Sequence, residues 1–590
     1  MTRGWVLFAC LLATAYASSK PWRTNNKIPI RDRQEPPPVP PPTPPTPKPS
    51  EYVYVSVCVN GTIENGNVYT AKGKKACPDY HDQIAVGRYA NRVNETGWGV
   101  LEVETFGGFS DEVQAYAAGV AEGELTRLQI YYHYRNTIET MCNGFTQYCK
   151  DLDKYLTQNL DWLRNQTVEN EKLPEEKRDP YWNHVKLVFA QLTGIWESYV
   201  RRTNMTPEVG FDLHPVYMIQ LSGELFDINK WMKKKPDPQE CSGLVKLAPG
   251  NKDMFFSHVA MSSLSTMNRV LKLYKFAYNK DKVPGHTVSF SGYAGALSSA
   301  DDYTLTSGGL ASLETTHAIF NETLYELYIK PHGQVHCWVR SFIANALAKS
   351  AKEWVDIFAK YNSGTYNNQW MVVDYNKFTP GKQLPDTDVV WILEQVPGFT
   401  EQQDVTWFLN SYNYFPSYNI PYITSISRMT GFENKGKQFN WYKWGFSPRA
   451  KIFERDQHTI VDIDTLTDLM RYNNYKHDEF AKCKCTPDGY TAEGGISARG
   501  DLNPVNGTYE VDSMGFRNHA GLDYKGTNYE MFKKLQFRAW GGPPYSEKNG
   551  VPPFDWRNTK VVSPHFGQPD LWNFTYIDLV WEADAKVNGL

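Results

Sequence analysis

From residue 241 onward the chain keeps one texture: short apolar runs bounded by Gly, Pro, Asn or Asp, broken by isolated helical stretches. "SGLVKLAP", a Pro-Gly turn and "MFFSHVAMS" predict a hairpin, and "HTVSFSGY", "YTLTSGGLASLETT", "QWMVVDY" and "VVWILEQV" predict further strands. Helices are expected at "LSTMNRVLKLYKFAY" and from Trp338 to Tyr361, where "FIANALAKSAKEWVDIFAKY" carries an apolar stripe. Blocks of antiparallel-type strands set between helices restrict the fold to the α+β class, a stack of sheets and helices. The first third is consistent with this: "YVYVSVCV" and "WGVLEVET" read as strands between about Tyr52 and Leu101. Val113, Tyr116, Ala117, Val120, Leu125 and Leu128 then mark a helical pattern from Asp111 to about Asn143, followed by helices at roughly Lys150–Arg164 and Tyr181–Val200. No internal repeat is visible.

The folded body is expected to start near residue 51. "MTRGWVLFACLLATAYASS" has an early Arg3, an apolar core from Val6 to Ala13 and a small-x-small end at Ala15–Ala17, so residues 1–17 read as a secretory signal peptide. That run is shorter than the ~20 apolar residues of a spanning helix, and no later segment is long enough. Residues 18–50 contain "QEPPPVPPPTPPTPKP", in which proline removes donors and fixes φ, leaving an extended arm. Asn-x-Ser/Thr acceptors at Asn60, Asn94, Asn165, Asn204, Asn321, Asn506 and Asn573 fit a glycosylated luminal or secreted protein. Lys and Arg total 62 against 65 Asp and Glu, so the basic excess that nucleic-acid binding needs is missing.

Cysteine spacing pairs Cys142 with Cys149 and Cys58 with Cys77 as local disulfides, with Cys483 and Cys485 able to close a tight ring. Cys241 and Cys337 remain, either as thiols or as a long-range pair. The sequence has no Gly-x-Ser-x-Gly, no His-Glu-x-x-His and no Gly-x-x-x-x-Gly-Lys-Ser/Thr, which demotes serine-lipase, zinc-protease and nucleotide-binding chemistry. Cys241 stands out by position: "KKKPDPQE" should be an exposed, proline-broken loop, whereas Ser242–Leu247 looks buried. A cysteine at such a join is either an ordinary packing or disulfide residue or one that attacks the carbonyl of Glu240 by an N-to-S acyl shift and splits the chain. The second route leaves a thiol and an α-amine on one residue, and an amine that titrates near ~8 can act as base for the thiol without a separate histidine.

"CSGLVKLAPGNKDMFFSH", "DDYTLTSGGLASLETT", "YNSGTYNNQWMVVDY", "PSYNIPY", "SPRAKIFERDQ", "LMRYNNY" and "GQPDLWNF" together closely resemble the phospholipase B-like (lamina ancestor-like) family from about Thr96 to the C-terminus. "NNQWMVVDY", "ISARGDLNP" and "GQPDLW" are nearer to its second, lysosomal member than to its first. The resemblance implies an αββα sandwich of the N-terminal-nucleophile hydrolase type. It also implies self-cleavage before Cys241, with fragments 51–240 and 241–590 held together non-covalently as one hydrolase domain in the lysosome lumen or outside the cell. Carried onto matching positions, it makes Cys241 the nucleophile, His258 the active-site histidine, Asn419 an oxyanion donor, Arg449 a holder of the site network or of thiolate charge, and Thr316 a pocket residue. Each has a plain alternative: a core histidine, an Asn-Ile-Pro turn, an ion pair, a buried strand hydroxyl. Asn367, Asn368 and Arg471 fall in equally similar stretches without an assigned role. Met261 replaces a tryptophan that the family tends to carry, and a smaller, more deformable side chain there implies a pocket wall of different shape. The implied reaction is hydrolysis of an amide or acyl ester of a lipid or other acylated small molecule, with no metal and no organic cofactor. The rival is a lysosomal lipid-binding or scaffold protein whose self-cleavage is only maturation.

Overall fold

The computed structural model describes residues 51–61, 67–234, 239–298 and 302–590. The signal peptide, the proline-rich arm, and Pro236 and Pro238 of the loop before Cys241 lie outside these residues. In chain order the strands are β1 (Val53–Asn60), β2 (Asn67–Lys72), β3 (Gln83–Arg92), β4 (Trp98–Thr105), β5 (Glu240–Leu247), β6 (Met254–Ser262), β7 (Arg269–Lys275), β8 (Thr287–Tyr293), β9 (Thr304–Thr306) and β10 (Leu310–Thr316). They continue with β11 (Asn368–Asp374), β12 (Val390–Val396), β13 (Phe399–Asp404), β14 (Tyr414–Ser417), β15 (Ala520–Gly521), β16 (Asp523–Thr527), β17 (Arg538–Gly541), β18 (Phe554–Asp555), β19 (Leu571–Trp572) and β20 (Ile577–Asp578).

These strands and some long helices make an α+β fold with two principal sheets. The larger runs β13-β12-β11-β10-β9-β8-β7-β4-β3-β1-β2, the smaller β14-β5-β6-β16-β17-β20 with β15 beside β6. Among the described ladders only β4 and β7 pair in parallel, from Trp98↔Arg269 to Glu104↔Lys275. The larger sheet therefore takes strands from both sides of residue 241.

The sheets face one another where side chains shrink. A Cβ on Gly243 of β5 would lie 2.8 Å from the Leu313 side chain of β10, so the missing side chain lets the sheets approach closely there. Val245 and Leu247 join the main core with Leu305 and Leu313. Leu244, Val259, Met261 and Tyr524 point the other way, onto Ile452 and Phe453 of the Pro448–Asp456 helix and Leu466 of the Ile463–Met470 helix. This is the period-two alternation of strands covered on both faces. Outside the larger sheet, the Asp111–Leu125 helix lies on β3, and it crosses the Pro180–Tyr199 helix at Gly119, Gly123 and Gly194. A Cβ at Gly119 would sit 1.9 Å from the Gln191 carbonyl, so the backbones touch.

Three expectations fail. The helical pattern from Asp111 to about Asn143 is two helices, Asp111–Leu125 and Arg127–Thr137, broken at Thr126. "LSTMNRVLKLYKFAY" is not a helix: a short turn at Leu264–Thr266 leads into β7. A central strand buried on both faces has no clean alternation, and its Val270, Leu271, Leu273 and Tyr274 mimic helical spacing. Its charged residues are neutralised internally, Lys272 by Glu122 at 2.6 Å and Arg269 by Asp523 at 2.8 Å. The helix from Trp338 to Tyr361 is two helices, Cys337–Leu347 and Ala351–Ala359, because Ser350 accepts from the Glu353 N–H and caps a new start.

Disulfides join Cys58 to Cys77, Cys142 to Cys149 and Cys483 to Cys485, while Cys241 and Cys337 are buried thiols. The long-range pair is not formed. All seven glycan-acceptor asparagines are exposed. No helix among the described residues is long and apolar enough to cross a membrane.

Candidate active site

Cys241 is the second residue of β5 and 3% exposed. Its backbone N–H donates to Asn419 Oδ1 at 2.9 Å. Arg449 Nη1 donates to the same oxygen at 2.8 Å and to the Cys241 carbonyl. A guanidinium only donates and a carbonyl only accepts, so the amide orientation of Asn419 is fixed: oxygen toward Cys241 and Arg449, nitrogen toward the Thr316 carbonyl. Asn419 thus accepts from the Cys241 nitrogen, and its donor is occupied by the Thr316 carbonyl. Asn419 holds φ at 66°, a left-handed conformation that asparagine tolerates better than most residues. A relay supports it: its N–H donates to Thr315 Oγ1 at 3.2 Å, Thr315 pairs with Ser417, Ser417 donates to Gln369, and Gln369 donates to the buried Glu394.

The thiol face holds a residue that the sequence reading passed over. Cys241 Sγ points at Glu314 Oε1, 3.8 Å away on β10, and Glu314 also accepts from Tyr366 at 2.7 Å and from Thr316 at 3.2 Å. The β5–β6 register sets His258 opposite Gly243, on the same face as Cys241. Its Nε2 lies 2.9 Å from the Glu314 carbonyl, which only accepts, so the proton is on Nε2 and Nδ1 is the basic nitrogen. Donor atoms of Cys241, His258 and Glu314 lie within 4.8 Å of one another. They could also approach a cation, and the Tyr366 and Thr316 hydroxyls each donate to one of the two carboxylate oxygens.

Alternation sends Glu240 to the other side of β5. Its Oε2 lies 3.1 Å from Arg449 and its Oε1 2.6 Å from Arg517. Arg517 is braced by the buried Glu493 through Nε at 2.9 Å and Nη2 at 3.0 Å, and Glu493 by His519 at 2.9 Å. Burial opposes ionisation of Glu240, but Arg517, His519 and Arg449 outweigh it and hold its carboxyl at about 2. Glu240, Glu493 and His519 also lie close enough to bring donor atoms together, with the Arg517 guanidinium paired to both carboxylates.

Of the residues singled out in the sequence, Cys241, His258, Thr316, Asn419 and Arg449 come together. Met261 lies opposite Glu240 in register and is packed in the core between the smaller sheet and its helices, facing away from the thiol, with Sδ accepting from the Ala498 N–H at 3.3 Å. Asn367 binds Asp227, and Arg471 holds the carbonyls of Gly542 and Pro543. The one sequence signal for Glu314 was a lone acid in a small and apolar run, "LASLETT". Glu493 and Arg517 gave none, being far from Cys241 in irregular chain.

The Phospholipase B family model matches residues 85–579, and the chain belongs to that family. Among its relatives, the Caenorhabditis elegans protein named "Putative phospholipase B-like 3" is 58% identical over 98% of this chain and 97% of its own. "Putative phospholipase B-like 2" of the same organism is 47% identical (86% of this chain, 87% of its own), and the Homo sapiens protein of that name 38% (85% and 86%).

Proposed function

We propose that the protein is an N-terminal-nucleophile hydrolase that cuts its own chain between Glu240 and Cys241 and then hydrolyses an amide or acyl ester bond of a lipid or other acylated small molecule. The observation that carries this reading is the arrangement around Cys241: thiol toward Glu314 and His258 on one side, backbone nitrogen held by Asn419 on the other. Two facing sheets with helices packed outside them are the layers that an αββα sandwich needs. Exposed acceptor asparagines and three disulfides support a place in the lysosome lumen or outside the cell.

In the self-cleavage step Glu314, or His258 through Nδ1, takes the thiol proton, and the thiolate attacks the Glu240 carbonyl carbon. The C–N bond breaks, the nitrogen regains a proton, and Glu240 is left as a thioester on Sγ. Water hydrolyses the thioester, giving a Glu240 carboxylate and a Cys241 that carries both thiol and α-amine. Asn419 Oδ1, which holds the peptide N–H beforehand, then orients the amine as base for attack on substrate. The acylated thiol is released by a second water.

Intact mass and N-terminal sequencing after exposure to acidic pH test the first step: a fragment beginning at Cys241 is expected, and none in Cys241→Ala. A chain cut instead near Lys233–Lys234 would point to an external protease. Profiling the cleaved protein against acyl esters and N-acyl amides tests the second step. A cleaved protein that turns over neither class would leave the lipid-binding or scaffold role.

A further inference from the structure

Self-cleavage and substrate hydrolysis would use one thiol, so the first acyl group that Cys241 attacks marks where later ones sit. That group is Glu240, and its side chain is gripped by two guanidiniums. We propose that Arg449 and Arg517 form an anion subsite, filled by Glu240 in the uncleaved chain, that afterwards takes the terminal carboxylate of a substrate acyl group of the glutaryl type. The inference rests on the nucleophilic role of Cys241 given above.

Three observations support it. The first is pre-organisation. Arg449 is fixed by the Cys241 carbonyl, Ser242 Oγ and Asn419 Oδ1, and Arg517 by Glu493, so neither needs Glu240 to hold its place. The second is charge: Arg517 keeps Glu493 when the cleaved tail withdraws, whereas Arg449 loses the carboxylate that pairs with it. A buried guanidinium without a counter-charge favours an incoming anion. The third is access: the side chains of Arg449, Arg517 and Glu240 are 10%, 19% and 18% exposed, so one edge of the subsite reaches solvent.

Spacing defines the ligand. In Glu240 the attacked carbonyl and the side-chain carboxylate are separated by three carbons, as in a glutaryl group. A glutaryl amide bound this way places its carbonyl at the thiol and its carboxylate between the two arginines. Attack by Sγ forms the thioester and expels the amine with a proton, and water then releases glutarate and restores the thiol.

The test follows alkylation of Cys241 by iodoacetamide in the cleaved wild-type protein, read as the mass of the fragment that begins at residue 241. Glutarate should slow alkylation saturably, with half-protection at a concentration about tenfold below any that glutaramide needs if the carboxylate gains one charge-assisted pair. Neutral glutaramide and inorganic phosphate at equal concentration should not. Arg517→Met should abolish the protection and Arg517→Lys retain part of it. Equal protection by glutarate and glutaramide, protection by phosphate equal to that by glutarate, or no protection at all would overturn the subsite while leaving Cys241 as nucleophile. Failure to find a fragment beginning at Cys241 would remove the nucleophile reading, and the subsite with it.

Discussion

Replacing Glu240 by Gln in a chain kept whole by Cys241→Ala isolates the ion pairs around the proposed scissile bond. In the folded chain Arg517, His519 and Arg449 overcome the cost of burial and bring the carboxyl from its ordinary 4.5 to about 2. At about 1.4 kcal/mol per pH unit, that shift corresponds to roughly 3 kcal/mol of stability at neutral pH. Because the folded value lies below the unfolded one, the contribution is complete above about pH 4.5 and is lost as pH falls toward 2. Urea unfolding of the two chains should give unfolding free energies that differ by about 3 kcal/mol at pH 7 and by only about 1 kcal/mol at pH 3. A gap under about 1 kcal/mol at pH 7, or one that does not change between the two pH values, would show that the arginines do not hold Glu240 as described.

Other consequences follow from neighbouring features. Burial pushes Glu394 and Glu224 up to about 7, above the ordinary 4.5, so each disfavours the folded state as pH rises from about 5 to 7; Glu394→Gln should flatten that part of a melting-temperature profile. Glu314→Gln keeps the shape but not the base, and should slow appearance of the Cys241 fragment by ~100-fold in a time course on gels. Gly119→Ala forces a methyl against the Gln191 carbonyl and should cost at least ~3 kcal/mol by urea unfolding, because backbone must move.

Residue patterning was enough for the hairpin of β5 and β6, since alternation and a Pro-Gly turn are local signals. It failed at β7, where burial on both faces hides the period, and at Ser350, where a single cap divides one apolar stripe into two helices. At the candidate site, Cys241 was legible because a composition boundary falls on it. Glu314 was not, because its meaning depends on a thiol some seventy residues earlier, and Arg517 and Glu493 were not, because only tertiary folding brings them to Glu240. Asn419 was found by its setting, yet which of its two amide atoms faces Cys241 could be decided only by its partners, Arg449 and the Thr316 carbonyl.

The parallel ladder between β4 and β7 has a bearing on how the protein must be made. Seven residue pairs, Trp98↔Arg269 to Glu104↔Lys275, tie strands that scission at residue 240 would place on different polypeptides. Dilution would not separate such halves, because parting them bares two long interior edges of one sheet at once. For the same reason, residues 241–590 expressed alone should aggregate rather than reconstitute. The segment ahead of residue 241 would then be a permanent half of the protein's scaffold, synthesised first and needed by the other half for folding.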